Sequence, residues 1–186
     1  MKKLIIDVDD VITGGEIINF INKFLNTNYT EDDCKDYYLQ KLLGDREQEF
    51  FDNFENINLY ENAKLNKDCY EVLKKLNDKY DVYFCSDFTW NEAHKTASFN
   101  LKHKYDFLYR EFNFILPHKY IFIHDKMMIN CDIRIDDKIS NLGNANINLL
   151  YTAYHNMDIT DEELKEKNMI RVNSWKDIEK VLINSK

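Results

Sequence analysis

Short apolar runs alternate along this chain with longer stretches in which apolar residues return every three or four positions. Residues 2–8, 80–86 ("YDVYFCS"), 119–124 ("KYIFIH"), 132–137 ("DIRIDD"), 147–154 ("INLLYTAY") and 168–172 ("NMIRV") are short and rich in β-branched or aromatic residues, and each reads as a strand. Residues 66–79 place Cys69, Val72, Leu73 and Leu76 on one helical face. A second helix over 174–185 starts at Ser174, an N-cap with Asp177 three positions on. Strands alternating with helices predict an α/β fold, a Rossmann-like parallel sheet flanked by helices. Such sheets bind ligands beyond the carboxyl ends of their strands, so the residues closing each run are the ones to inspect.

One segment breaks the alternation. Residues 15–60 hold amphipathic runs such as "EIINFINKFLN" and "QEFFDNFENI" but no strand pattern. This predicts a small helical subdomain, 15–60, inserted after the first strand of a core formed by residues 1–14 and 61–186. The insertion's aromatics (Phe20, Phe24, Tyr37, Tyr38, Phe50, Phe51, Phe54) are expected chiefly to pack its helices together. With one Pro and four Gly in 186 residues, Asn and Ser must form many of the turns, which blurs the element boundaries.

Composition narrows the function. The formal net charge of −8 disfavours a nucleic-acid polymer as partner but leaves room for a small phosphorylated ligand held by a cation or a lysine. No apolar run approaches a membrane span, and carboxylates interrupt the start "MKKLIIDVDD" too early for a signal peptide, so a cytoplasmic location is expected. Cys34, Cys69, Cys85 and Cys131 form no C-x-x-C pair, and the five histidines lack a metal-binding spacing. Neither residue type is expected to carry the function.

The strand ends hold a consistent set. The first strand closes on Asp7, Asp9 and Asp10, the second on Ser86 and Asp87; Lys126 follows the third, and Asp136 and Asp137 finish the fourth. Several clustered carboxylates cannot all stay ionised without a cation, and oxygen ligands suit Mg²⁺. Strand alternation directs Asp7 and Asp9 to one side and Asp10 away from them, so Asp10 is expected to be a bystander. One of the paired carboxylates can attack phosphorus while the other moves protons. A solvated turn remains the plain alternative for any one of these residues.

Taken in order, the set resembles the haloacid dehalogenase-like phosphohydrolases. Asp7-Val8-Asp9-Asp10-Val11 looks like their first motif, Ser86 the second, Lys126 the third and Asp136-Asp137 the fourth. Within that superfamily the chain is most similar to the 5′(3′)-deoxyribonucleotidases, through "HDKMMINCDIRIDDKISNL" (124–142), "HKYDFLYREFNFI" (103–115), "TAYHN" (152–156) and "VNSWKDIEKVL" (172–182). The resemblance implies an Mg²⁺-dependent phosphatase acting on deoxyribonucleoside monophosphates through an aspartyl-phosphate, with residues 15–60 as a cap over a Rossmann-like catalytic core. It makes Asp7 the nucleophile and a metal ligand, and Asp9 the acid/base with its carbonyl on the metal. Ser86 and Lys126 would bind phosphate, Asp137 would ligate the metal, and Asp136 and Lys104 would support the site.

Three departures from the family pattern bear on specificity. Asp10 stands where Gly is frequent, "TGGEII" lacks an aromatic that helps hold the base, and "LYENAKL" replaces a usual Pro-Gly. Phe54 or a neighbour is a candidate to supply the lost stacking. Alternatives are the same chemistry on another small phosphate ester, or a catalytically idle binding protein on this fold.

Overall fold

The computed structural model describes residues 1–30, 33 and 38–184; Cys34 and Tyr37 lie outside the described residues. Six strands form one sheet: β1 (Lys3–Ile6), β2 (Asp81–Ser86), β3 (Tyr120–Phe122), β4 (Cys131–Asp136), β5 (Ala145–Tyr151) and β6 (Met169–Val172). All pairs are parallel, in the order β3-β2-β1-β4-β5-β6. The chain runs outward from β1 in both directions, which opens a crevice at the carboxyl ends of β1 and β4. Each of the six runs read as strands is a strand. β1 is buried from Leu4 to Ile6 because helices cover both faces of the sheet.

Between β1 and β2 the chain forms α1 (Glu16–Leu25), a 3-10 segment (Leu39–Arg46), α2 (Glu47–Asp52) and a 3-10 turn (Phe54–Asn56), then α3 (Cys69–Lys79). No strand occurs in this stretch among the described residues, as the patterning predicts. Phe24, Phe50, Phe51 and Phe54 pack ring against ring. Trp90, from the loop after β2, closes on Phe51 and Phe54 at 5.8 and 5.3 Å. These rings hold the insertion against the sheet domain; Phe54 is buried among them and is not in the lining of the cavity at the strand ends.

α4 (Ala97–Glu111), α5 (Asp161–Glu166) and α6 (Trp175–Leu182) complete the layers. Ser174 caps α6 as expected, its hydroxyl accepting from the Asp177 N–H at 3.2 Å. Fully buried Trp175 donates through Nε1 to the Val11 carbonyl at 3.0 Å, and Asn66 Nδ2 donates to the same oxygen at 2.9 Å. The loop after β1 is thereby anchored from two distant parts of the chain.

The two connections into and out of the insertion are joined at Thr13. Its Oγ1 lies 2.6 Å from Glu16 Oε1 and 2.8 Å from the Lys64 carbonyl oxygen. One hydroxyl proton serves only one of these acceptors, so both contacts are hydrogen bonds when Glu16 is protonated and donates to Thr13. Burial, reinforced by the charge of Asp9, pushes Glu16 up to about 7. The unfolded chain releases this proton near the ordinary carboxylate range. The folded state therefore gains stability below that range, and loses it as pH rises through about 7. Glu16→Gln keeps a neutral donor. It should match the parent in urea unfolding at pH 5 and exceed it at pH 8, by on the order of 1–3 kcal/mol after allowance for partial exposure. Equal stability of the two at pH 8 would contradict the assignment.

Candidate active site

β1 delivers Asp7 one residue beyond its last ladder position, where the Asp7 N–H still bonds to the Ile135 carbonyl of β4 at 3.0 Å. The chain then turns tightly. Ile12 and Thr13 donate to the Val8 carbonyl, and Asp10 adopts a left-handed backbone (φ 57°). β4 ends on Asp136 with Asp137 one residue beyond, β2 ends on Ser86, and a 3-10 turn after β3 presents Lys126. A cavity of about 440 Å³ opens here, and every strand-end residue of the predicted set lines it except Asp136, which lies beneath.

The side chains fall into two groups. In the first, Lys126 is buried and its ammonium lies 2.6 Å from Asp7 Oδ2 and 2.9 Å from Asp136 Oδ2. Asp136 spends its other oxygen on the Lys138 N–H and on Asn141 Nδ2. Asp137 Oδ2 meets His155 Nε2 at 2.6 Å, and Asn156 fixes the Asp137 carbonyl at 2.7 Å. One ammonium thus faces three buried carboxyl groups. Burial pushes Asp7 up to about 6, with Asp136 and Asp9 adding to the rise and Lys126 opposing it. Asp137 is raised well above the usual range by burial and by Asp136, Asp7 and Asp10. Burial, then Lys138, drives His155 down to about 4, so its imidazole is neutral near pH 7.

These shifts describe a site short of positive charge. Asp7, Asp136 and Asp137 each bring a carboxylate oxygen within 4.8 Å of the others. An all-oxygen donor set with surplus negative charge fits a hard divalent cation.

The second group surrounds Asp9. Buried Lys104 of α4 donates to Asp9 Oδ2 at 2.6 Å and to Ser86 Oγ at 2.7 Å, and also bonds the Asp87 carbonyl. Ser86 Oγ lies 3.2 Å from Asp9 Oδ2. Tyr60 donates its hydroxyl to Asp9 Oδ1 at 2.6 Å. Burial alone would raise Asp9, but Lys104 and then the Tyr60 hydrogen bond hold it below the usual carboxylate range. Asp7 and Asp9, two residues apart, are therefore pushed in opposite directions.

The structure brings Asp7, Asp9, Ser86, Lys104, Lys126, Asp136 and Asp137 together as one rim. Two expectations need correction. Asp10 is not carried away by strand alternation, because β1 ends at Ile6 and the left-handed turn brings its carboxylate beside Asp137 and His155. A histidine does join the cluster, although no sequence spacing marked one. The strand-end rule applied to β5 points to it, since His155 lies four residues beyond Tyr151. Tyr60 follows no strand and carried no signal of this kind.

Comparison with known proteins agrees with this geometry. The family profile described as "5′ nucleotidase, deoxy (Pyrimidine), cytosolic type C protein" matches residues 2–186. The 5′(3′)-deoxyribonucleotidases of Bacillus subtilis (strain 168) and of Bacillus phage SPbeta are each 29% identical over 191 residues, covering 98% of this chain and all of theirs. In fold, the chain is similar to a haloacid dehalogenase-like hydrolase structure from Burkholderia xenovorans (TM-score 0.59, 10% identity, 98% of this chain and 96% of the other). It is also similar to a magnesium-bound hydrolase structure of that superfamily from Bacillus subtilis (TM-score 0.54, 13% identity, 98% of each chain). With a rim of paired carboxylates and lysines at the sheet's crevice, the chain belongs to the cytosolic type C 5′ nucleotidase family and is a phosphoric monoester hydrolase on a haloacid dehalogenase-like fold.

Proposed function

We propose that this protein hydrolyses deoxyribonucleoside monophosphates, with Asp7 as nucleophile and Asp9 as acid/base, in the cytoplasm. The observation that carries the reading is the convergence of Asp7, Asp9, Ser86, Lys126 and Asp137 on one cavity beyond the carboxyl ends of the strands. The names of the Bacillus relatives support the choice of substrate.

Asp7 Oδ1 accepts from the Val8 N–H at 2.7 Å and Oδ2 is paired with Lys126, which together fix the carboxylate's orientation. From there one oxygen attacks phosphorus and takes the phosphoryl group as an aspartyl-phosphate. Lys126 and Ser86 hold phosphoryl oxygens, and Lys126 offsets the charge that accumulates on them. Asp9 gives its proton to the departing ester oxygen, then takes one from the water that hydrolyses the acyl phosphate. Asp7, Asp137 and the Asp9 carbonyl would hold Mg²⁺. Asp136 supports that set, because both of its oxygens are already engaged. Bound there, the ion supplies positive charge to the phosphate and lets the carboxylates stay ionised together. Residues 15–60 act as a cap over the core formed by 1–14 and 61–186.

The cavity walls come from the loops after the strands, including His124–Met127 and Lys138–Asn141, and not from residues 15–60. Recognition of the leaving nucleoside accordingly falls in part to those loops.

Replacing Asp7 by Asn should lower hydrolysis of a generic aryl phosphate on the order of a thousandfold or more, with an unchanged circular dichroism spectrum. Turnover at the parent rate would refute the nucleophile. Chelation with EDTA should abolish turnover and Mg²⁺ restore it. In a thermal shift assay without substrate, Mg²⁺ should raise the Tm, by about 3 kcal/mol of added stability at a hundredfold excess over Kd. Full turnover in EDTA would exclude the ion. In a panel of phosphorylated metabolites, deoxyribonucleotides should give higher kcat/KM than sugar phosphates; no such preference would leave a phosphatase for another small ester.

A further inference from the structure

Asp9 is held by three side chains from three parts of the chain. Lys104 comes from α4 and Ser86 from the end of β2; Tyr60 comes from the return of the inserted segment. Lys104 and Ser86 both meet Oδ2, at 2.6 and 3.2 Å. Tyr60 alone, among the described residues, meets Oδ1, at 2.6 Å. Two groups crowd Oδ2, although the single Ser86 proton is shared between it and the Asp87 carbonyl oxygen at 3.1 Å, whereas Oδ1 has one partner and keeps a lone pair for a proton. The direction of that remaining lone pair is set by where Tyr60 sits.

Tyr60 is itself immobilised. The residue is 2% exposed, and its ring packs on Phe107 of α4 at 5.3 Å. The Lys104 ammonium lies 5.8 Å from the same ring, and Asn58 Oδ1 accepts from the Tyr60 N–H at 3.0 Å. A phenol keeps its proton at neutral pH, and the 2.6 Å contact makes the Tyr60 hydroxyl a hydrogen-bond donor to Asp9.

We propose that Tyr60 is a positioning residue for leaving-group protonation: its hydroxyl orients Asp9 so that Oδ1 carries the transferred proton, and it stabilises the carboxylate that forms as the proton leaves. The inference rests on the reading of Asp9 as acid/base and adds the residue that aims it. In the step concerned, an Asp7 oxygen lone pair forms the new bond to phosphorus and the ester P–O bond breaks. The leaving oxygen keeps that bond's electron pair and takes the proton from Asp9 Oδ1. Negative charge develops on Asp9 as this happens, and a preplaced donor at 2.6 Å is worth most at that moment. An ester whose leaving oxygen is already a stable anion needs no proton and gains nothing from Tyr60.

The test is a leaving-group series. kcat/KM is measured with Mg²⁺ for esters running from dinitrophenyl and nitrophenyl phosphates to nucleoside and simple alkyl phosphates. Tyr60→Phe keeps the ring and its packing. It should lose about tenfold or more with the poorest leaving groups, the worth of one charge-assisted hydrogen bond, and about twofold or less with dinitrophenyl phosphate. The dependence on leaving-group pKa thus becomes steeper. An equal loss across the series would make Tyr60 a structural residue only, and no loss anywhere would remove it from the reaction; either overturns the proposal. Asp9→Asn, run in parallel, separates the two levels. It should steepen the series more than Tyr60→Phe does, and a series parallel to the parent's would overturn the acid/base reading of Asp9 itself.

Discussion

The buried ammonium of Lys126 is the interaction on which the rest of the site depends. It lies between Asp7 at the end of β1 and Asp136 at the end of β4, with contacts of 2.6 and 2.9 Å. Without it, two strand ends would bring unpaired carboxylates together where little water reaches them, at a cost that backbone pairing alone would have to meet. One positive charge is still too few for Asp7, Asp136 and Asp137. That shortfall suits the crevice to a further cation, through which an acidic protein could receive a phosphate dianion. The overall charge of the chain and the charge its site prefers are thus separate matters.

Asp9 belongs to a different local balance. Lys104 offsets it one for one, and Ser86 and Tyr60 complete its hydrogen bonds. Two carboxylates separated by a single valine therefore sit in unlike surroundings, Asp7 held up by burial and acidic neighbours, Asp9 held down by a lysine. Unlike surroundings of this kind separate the proton affinities of two identical side chains, and a cation bound beside Asp7 would lower that of Asp7. The sheet makes the separation possible: β1 lies between β2 and β4, so its carboxyl end receives one set of partners from each side.

Much of this was legible in the sequence because parallel strands are short, apolar and closed by whatever the crevice requires. All six strands, and the rim residues from Asp7 to Asp137, follow from that rule. What stayed hidden has identifiable causes. α4 is the longest helix, yet its buried face includes Asn100 and Lys104, which break the apolar period because they face the loop after β2 and the acid site. His155 was reachable by the strand-end rule but stands where no histidine spacing draws attention. The left-handed turn at Asp10 depends on backbone geometry that alternation does not describe, since the strand has already ended. Tyr60 enters from the returning arm of an insertion, and only folding in three dimensions puts its hydroxyl on Asp9.

The contacts of Asp9 join residues 51, 77 and 95 positions apart, to Tyr60, Ser86 and Lys104 respectively. Each therefore forms only after a long loop has closed, the kind of contact that is slow to appear during folding. Until then the aspartates are hydrated, scattered and no more reactive than free amino acids. The chemistry is a property of the completed topology: it arrives with the last long-range closure and disappears as a unit when that closure is lost.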